Sequence, residues 1–310
     1  MRFTLRQLQV FVGVARSENV SRAAEALALS QSAASAALAE LESLFEQQLF
    51  DRKGKRLRLN EQGSLLLPHA VELLDRAEEI ETLVRSDRGL GNLRVGATLT
   101  IGNYLLPLIV SAYLQRHPES RVRLQVHNTA SIAAMLLRYE IDLGLVEGQV
   151  VDAEIELEPW VDDELVVFCA PSHALAGRQA VAVAVDEIAP QPWILRERGS
   201  GTRETFDRAL RHRPGGLVPR LELEHTEAVK RAVESGLGLG CLSRLALRDA
   251  LRRGSLVALE TPELDLRRQF SFAWHKGKYH SAAIRCFLDD CRAFTAGARR
   301  SDLIPLPPVP

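Results

Sequence analysis

Cysteine is scarce in this chain: Cys169, Cys241, Cys286 and Cys291 are all there is in 310 residues. None forms a CxxC pair and none has a histidine at metal-ligand spacing, which argues against a metal or iron–sulfur centre. Long apolar runs are missing too, so nothing approaches the length needed to cross a bilayer. At the N-terminus Leu5, Leu8, Val12 and Ala15 form a helical stripe broken by Arg6, Gln7, Gln9 and Arg16, unlike a secretory h-region. A soluble, cytoplasmic protein with no membrane partner is expected. An excess of one charge is also lacking: 39 Lys and Arg stand against 40 Asp and Glu, a net charge of −1. No global positive field advertises a nucleic-acid partner, but DNA contact needs only a local basic surface. No nucleophile–base pair can be assembled, so neither an enzyme nor a cofactor is expected. What is present is apolar mass: 46% hydrophobic residues in 310 support a sizeable core and at least two domains.

The most informative segment is 20–60. Val20 and Ser21 open a short helix with Ala23, Ala24 and Leu27 on its apolar side. Leu29-Ser30-Gln31-Ser32 interrupts it and supplies candidate N-caps for a second helix. There Ala34, Leu38, Leu41 and Phe45 recur at helical spacing and should face a core. The opposite face (Ser32, Ala36, Ala39, Ser43, with Ser35 beside it) is small and polar, as entry into a major groove requires. An ordinary helical hairpin with an alanine-rich surface is the plainer alternative. The adjoining stretch favours the groove-reading helix: Leu49 to Leu59 alternates basic and apolar residues around Gly54, a hairpin signal. With Leu5–Arg16 as the first helix, residues 1–60 read as an all-α winged helix-turn-helix whose wing carries Arg52, Lys53, Lys55, Arg56 and Arg58.

Residues 61–88 read as one linker helix. Leu66, Ala70, Leu73, Ala77, Ile80 and Val84 alternate in steps of four and three, the period of a coiled-coil seam, and predict a dimerising partner helix. Pro68 should bend that helix or weaken its first turns. After Gly89-Leu90-Gly91 the pattern changes to alternating strands and helices. Strands are expected at 93–97, 122–126, 143–146, 165–169, 193–195 and 269–274, and helices at 102–117, 131–139, 202–210, 226–235 and 281–294. This is a two-lobed α/β clamshell over 89–300, with lobe I at about 91–163 and 267–300 and lobe II at about 164–266. Such folds take small molecules between the lobes at strand C-termini. The proline-rich tail, 301–310, is expected to be disordered.

At this point the residues resemble a known family. Ser30-Gln31-Ser32-Ala33-Ala34-Ser35, Leu41-Glu42, Leu49-Phe50-Asp51-Arg52 and the linker helix look like the LysR-type transcriptional regulators, and the likeness covers essentially the whole chain. Leu93 to Pro107 and Gly199-Ser200-Gly201-Thr202-Arg203 are most similar to the branch holding the CysL, YeiE and CbbR regulators. The resemblance implies an α/β protein overall, with a periplasmic-binding-protein-like effector domain and a homodimer assembling to a homotetramer. It also implies an interrupted palindrome in double-stranded DNA and RNA polymerase as a partner. Three departures stand out: Ser32 replaces a common proline, Ala37 a common glutamine and Glu46 a common glycine.

For DNA, Gln31, Ser32 and Ser35 are the candidate readers, since glutamine pairs bidentately with adenine and serine serves bases or phosphates. Ser30 reads as a cap. Arg52, Lys53, Lys55 and Arg56 should hold phosphates. For the effector, hydroxyls and helix-opening N–H groups cluster at strand-to-helix turns: Thr98 and Thr100; Ser200, Gly201 and Thr202; His225 and Thr226; Asn128 and Thr129. Each alone reads equally as an N-cap. Glu147, just past a strand end, would favour a protonated or hydroxyl-bearing ligand, and Arg203 either adds charge or pairs with Glu197 or Glu204. The inventory fits a small anion: a sulfite-like oxyanion, a carboxylate or a phosphorylated metabolite. Two other readings remain open: a thiol redox sensor using Cys169 and Cys241, or a ligand-binding protein or enzyme without a regulatory role. Gly236 to Gly240 imitates a dinucleotide loop but comes after a helix, so it reads as a C-cap and turn. His275, Lys276, Lys278 and His280 fall in a loop without ligand geometry. Cys286 and Cys291 are read as pointing to different helix faces.

Overall fold

The computed structural model describes residues 2–54, 56–84, 90–178, 181–211, 217 and 219–306, with the side chains of Lys53 and Leu83 excepted. Lys55 of the expected phosphate set, residues 85–88 of the expected linker and residues 307–310 of the tail therefore lie outside it.

Three helices open the chain: α1 (Leu5–Ser17), α2 (Val20–Ala26) and α3 (Gln31–Phe45). Each is started by a side-chain cap, from Thr4, Asn19 and Ser30 respectively, and each cap occupies an otherwise orphaned N–H. Their apolar faces meet in one core around Leu8, Phe11, Ala24, Ala34 and Leu41. Phe45 departs from expectation: it stays 37% exposed and only leans on Phe3. Glu46 ends α3 at φ 54, a left-handed position that suits glycine better. This accounts for the glycine common there in the resembling family.

The wing is an antiparallel pair, β1 (Phe50–Lys53) and β2 (Arg56–Leu59). Its turn residue Gly54 has φ +64, so the glycine is required by the backbone. The linker helix α4 (Glu61–Val84) runs on through Pro68 without interruption in its assignment. Its apolar residues divide differently from the expected seam. Ala70 is 1% exposed and sits, with Leu67 and Val71, in the chain's own N-terminal core, where Leu66 also packs. Ala70 is therefore unavailable to a partner helix. Ala77 is half-buried, while Leu73, Ile80 and Val84 are exposed together with Leu65.

The effector domain comes next as β3 (Asn92–Ala97), α5 (Leu99–Tyr104), α6 (Leu106–Arg116), β4 (Arg121–Val126), α7 (Thr129–Leu137), β5 (Leu143–Glu147) and β6 (Ile155–Cys169). Then come α8 (Val185–Ile188), β7 (Trp193–Arg196), α9 (Gly201–Ala209), β8 (Leu221–Leu223), α10 (Thr226–Glu234), β9 (Leu239–Ser243) and α11 (Arg244–Arg253). The last elements are β10 (Val257–Leu259), β11 (Arg267–His275) and α12 (Ala282–Phe294). The expected helix at 102–117 is in fact two, α5 and α6, divided at Leu105 just before Pro107. The glycines at 236–240 form a helix end and turn into β9, as expected.

The strand order β4-β3-β5-β11-β6-β9-β7-β8, with β10 beside β6, makes one continuous sheet whose two ends are the two lobes. β6 and β11 cross between them as antiparallel partners from Arg267↔Glu164 to His275↔Ile155, with an irregularity at Phe270/Ser271. Separate apolar cores fill lobe I, around Leu93, Tyr113 and Phe287, and lobe II, around Val167, Trp193 and Leu239. The tail corrects another expectation. Ser301–Leu303 forms a short 3-10 turn, Ser301 and Ile304 are buried, and Asp162 and Arg300 make a β-bridge. Ile304 belongs to the lobe I core, and Leu306 packs against it.

Candidate effector cleft and DNA-reading surface

Between the lobes the expected effector residues converge, around a charge pair the sequence did not reveal. Glu147, the last residue of β5, is buried, and its carboxylate accepts from the Thr100 N–H at 2.6 Å and the Thr202 hydroxyl at 3.4 Å. Arg268 of β11 reaches the same carboxylate at 2.8 Å and Asp163 of β6 at 2.6 Å. Burial alone would raise the Glu147 pKa; the adjacent Arg268 and the Thr98 and Thr100 donors hold it below the usual carboxylate value. Asp163 also takes hydroxyl bonds from Ser243 and Ser301. One guanidinium nitrogen of Arg268, Nη2, is shielded from solvent and has no partner.

The lobes touch through backbone at the same place. Thr129 opens α7 on lobe I; its hydroxyl donates to the Glu147 carbonyl and accepts the Gly201 N–H of lobe II, both at 3.1 Å. Asn128 is a cap, accepting the Ser131 N–H, and also reaches across to Glu197 at 3.2 Å. Both alternatives for this residue are thus realised together. Thr98 and Ser200 stand at N-cap positions without a side-chain cap bond, so their hydroxyls are not used as caps. Arg196, fully buried at the end of β7, pairs with Glu197 at 2.8 Å and points Nη1 at Thr226, 3.4 Å away. At the other mouth, Tyr104 of lobe I bonds Glu227 of lobe II, and Lys230 holds that carboxylate at 2.9 Å.

Three expectations need correction here. Glu147 is already satisfied internally, so it does not stand free for a ligand. Arg203 turns away from both suggested acids and pairs with Asp207 and Glu222, at 2.9 and 3.0 Å. His225 caps no N–H with its side chain and is exposed, unlike its buried neighbour Thr226. Arg268, Asp163 and Arg196 were missed because a charged residue inside a strand pattern reads as solvent-facing. Only the register that pairs β11 with β6 brings Arg268 inward.

A second cluster ties the linker to lobe I. Lys278 bridges Asp75 of α4 and Asp142 before β5, the latter at 2.8 Å, and Asp142 also pairs with Arg94. Burial would raise Asp142, but Lys278 and Arg94 hold it well below the usual carboxylate range. Lys278, discounted in the sequence as a loop cation, is one of the most buried lysines described. Tyr139 of lobe I joins the N-terminal core, and Glu79 of α4 accepts from the Tyr279 hydroxyl at 2.7 Å.

On the N-terminal domain, Gln31, Ser32 and Ser35 are all exposed at the start of α3. Ser30 caps Ala33 N–H, and its hydroxyl shares a 3.0 Å bond with that of Ser32. Arg52 and Arg56 project from the wing into solvent. The thiols do not form a reactive set. Cys169, Cys241 and Cys291 are buried, and burial pushes Cys169 up to about 11 and raises Cys241 and Cys291 well above the usual thiol value. A thiol so far above neutral pH has little thiolate. Cys291 is buried in the lobe I core, while Cys286, five residues earlier on the same helix, is only partly buried at its edge. No grouping of His, Cys, Asp and Glu among the described residues could hold a metal ion, and none of their helices is long and apolar enough to cross a membrane.

A winged helix-turn-helix joined by a long helix to a two-lobed domain with a polar cleft is the plan of a ligand-responsive, DNA-binding regulator. Residues 5–64 match the lysR family of bacterial regulatory helix-turn-helix proteins, and residues 86–296 match the LysR substrate binding domain. The chain belongs to the LysR family of transcriptional regulators, which are not enzymes. It is 45% identical over 291 residues to YeiE of Escherichia coli K12, covering 94% of this chain and 98% of YeiE. It is 35% identical to the RuBisCO operon transcriptional regulator of Allochromatium vinosum, covering 93% and 95%. Among solved structures, the regulatory domain of Synechocystis PCC6803 CcmR in complex with 2-PG superposes with a TM-score of 0.62 at 29% identity, covering 67% of this chain and 99% of that one.

Proposed function

We propose that this regulator is switched by a small oxyanion, carboxylate or phosphorylated metabolite held between its lobes. The observation that carries this reading is the buried, unpartnered Nη2 of Arg268, whose neighbouring Nη1 bonds Thr202, two residues after the Ser200 hydroxyl that makes no cap bond. The N-terminal turns of α9 and α10 add their N–H groups and positive dipole ends. The 2-PG bound by CcmR supports an anion of this kind. The ionic and aromatic ties from Lys278, Tyr139 and Tyr279 to α4 and the N-terminal core supply a route from cleft to DNA-binding domain. Burial of the thiols disfavours the redox alternative.

The assembly is proposed to form through the exposed stripe Leu65, Leu73, Ile80 and Val84, which would pair with a second copy and present two α3 helices to an interrupted palindrome. A tetramer and contact with RNA polymerase extend the same reading. The test is a thermal-shift series with sulfite, sulfate, thiosulfate, O-acetylserine and 2-phosphoglycolate. A cleft ligand at a hundredfold excess over its Kd stabilises by about 2.7 kcal/mol, a rise on the order of 5–10 °C for a domain of this size. Flat melting curves with all five would count against an anion effector.

At the DNA end, Gln31→Ala is expected to reduce the ratio of specific to random binding by about 1–3 kcal/mol. Arg52→Ala should weaken both equally and flatten the salt dependence. Competition titrations at fixed salt separate the two, and equal loss on both DNAs for the Gln31 variant would remove it from the readers.

A further inference from the structure

Where the N-terminal domain meets lobe I lies a groove of about 560 Å³. Five arginines line it: Arg16 at the end of α1, Arg22 on α2, Arg56 and Arg58 on β2, and Arg138 just after α7. Only two acids, Glu18 and Glu140, face them there. The neutralisation they provide is partial. Glu18 approaches Arg56 and Arg58 no closer than 3.7 and 3.9 Å, whereas Glu140 holds Arg138 at 2.6 Å. Among the described residues Arg22 has no side-chain partner. Arg16 is the most telling, because its Nε is shielded from solvent with no hydrogen-bond partner. Burial, then the nearby Arg94, pushes its pKa down to about 10, against the opposing pull of Asp142, Asp75 and Glu140.

The groove is continuous with the wing and with the first turn of the helix-turn-helix, and its far wall belongs to the effector domain. We propose that it is a phosphate-binding seat for the duplex DNA backbone beyond the wing, so that Arg138 of lobe I contacts DNA directly. This rests on the DNA-binding role proposed above for the wing. Arginine suits the task because its fork binds phosphate oxygens bidentately. The consequence is that lobe I touches the same duplex as the wing, and any displacement of lobe I changes the count of neutralised phosphates.

The experiment uses the full chain and a long mixed-sequence duplex, with anisotropy titrations between about 50 and 200 mM salt. Arg138→Ala is expected to lower the slope of log K against log salt by about 0.9, one phosphate's worth. Its low-salt affinity advantage across that range then shrinks by about 3.5-fold. Glu140→Gln, which frees Arg138, should move the slope the other way, an opposite sign that a mere structural defect does not produce. Arg52→Ala is the control for the wing. If Arg52→Ala lowers the slope while the Arg138 and Glu140 variants match the parent, DNA binding by the wing stands and the groove proposal falls. If Arg52→Ala also leaves the slope unchanged, the wing reading itself fails. Inorganic triphosphate separates the remaining source of phosphate. Stabilisation by triphosphate that Arg138→Ala abolishes, with an unchanged DNA slope, would assign the groove to a free ligand and overturn the DNA assignment.

Discussion

Replacing Arg268 with methionine is expected to destabilise the effector domain by about 3–5 kcal/mol, because it leaves two buried carboxylates without their shared cation. Arg268 is the only charge lying between Glu147 and Asp163 in the described contacts, and all three side chains are essentially inaccessible. For a domain of this size the loss corresponds to a fall in Tm on the order of 10 °C. The pH dependence of the variant should also reverse. In the parent, Glu147 titrates below its ordinary value, so its contribution is present above that value and is lost as pH falls through the folded pKa. Without Arg268, desolvation raises Glu147 above its unfolded value and pushes Asp163, already raised by burial in the parent, further up. Stability is then fullest below the unfolded pKa and drains away as pH rises through the raised one. Melting curves for the variant at about pH 5 and about pH 8 should therefore diverge, with the acidic sample more stable relative to the parent. Adding Glu147→Gln should recover part of the loss at the higher pH. A variant that melts like the parent across this range would show that the pair does not hold the lobes.

The second large effect is expected from Gly201→Ala, and it falls on ligand response. A methyl at position 201 would overlap the Glu147 carbonyl oxygen and lie 2.9 Å from the Thr129 hydroxyl. From the other lobe, a Cβ added at Gly148, itself at φ +80, would lie 3.3 Å from the Gly201 Cα, so two glycines meet where the lobes touch. Neither neighbour is a flexible side chain that could yield. Overpacking of this sort costs about 1–3 kcal/mol, which lands on the closed form and weakens effector binding by about 10- to 100-fold. Calorimetric titration of whichever anion stabilises the parent is the measurement, paired with DNA titration of the ligand-free variant. Unchanged anion affinity would mean that the lobes need not approach this closely to bind.

The N-terminal domain was legible because its signals are local. The cap Ser30, the spacing of Ala34, Leu38 and Leu41, and the alternation around Gly54 are each contained within a few residues. The clamshell was legible in outline from its alternating strands and helices. What escaped was long-range. β6 begins at Ile155, yet Ile155 to Glu164 reads IELEPWVDDE, too polar to announce a strand. Its partner β11 supplies Arg268, which meets Asp163 across 105 residues of sequence. The linker seam was misread at Ala70 for a related reason: heptad spacing cannot distinguish a partner helix from the chain's own core when both lie along one helix. The tail misled by composition, since its prolines hid Ile304, a core residue.

The crossing between the lobes has a practical side. β6 and β11 pass through it hydrogen-bonded to each other, and Arg300 and Ser301 join them by bonds to Glu164 and Asp163. Arg248 on lobe II then grips the Ile304 carbonyl at 2.8 Å. Residues 300–304 are thus woven into the crossing. A deletion that removed Arg300 to Ile304 would therefore loosen the crossing itself, not only shorten the chain.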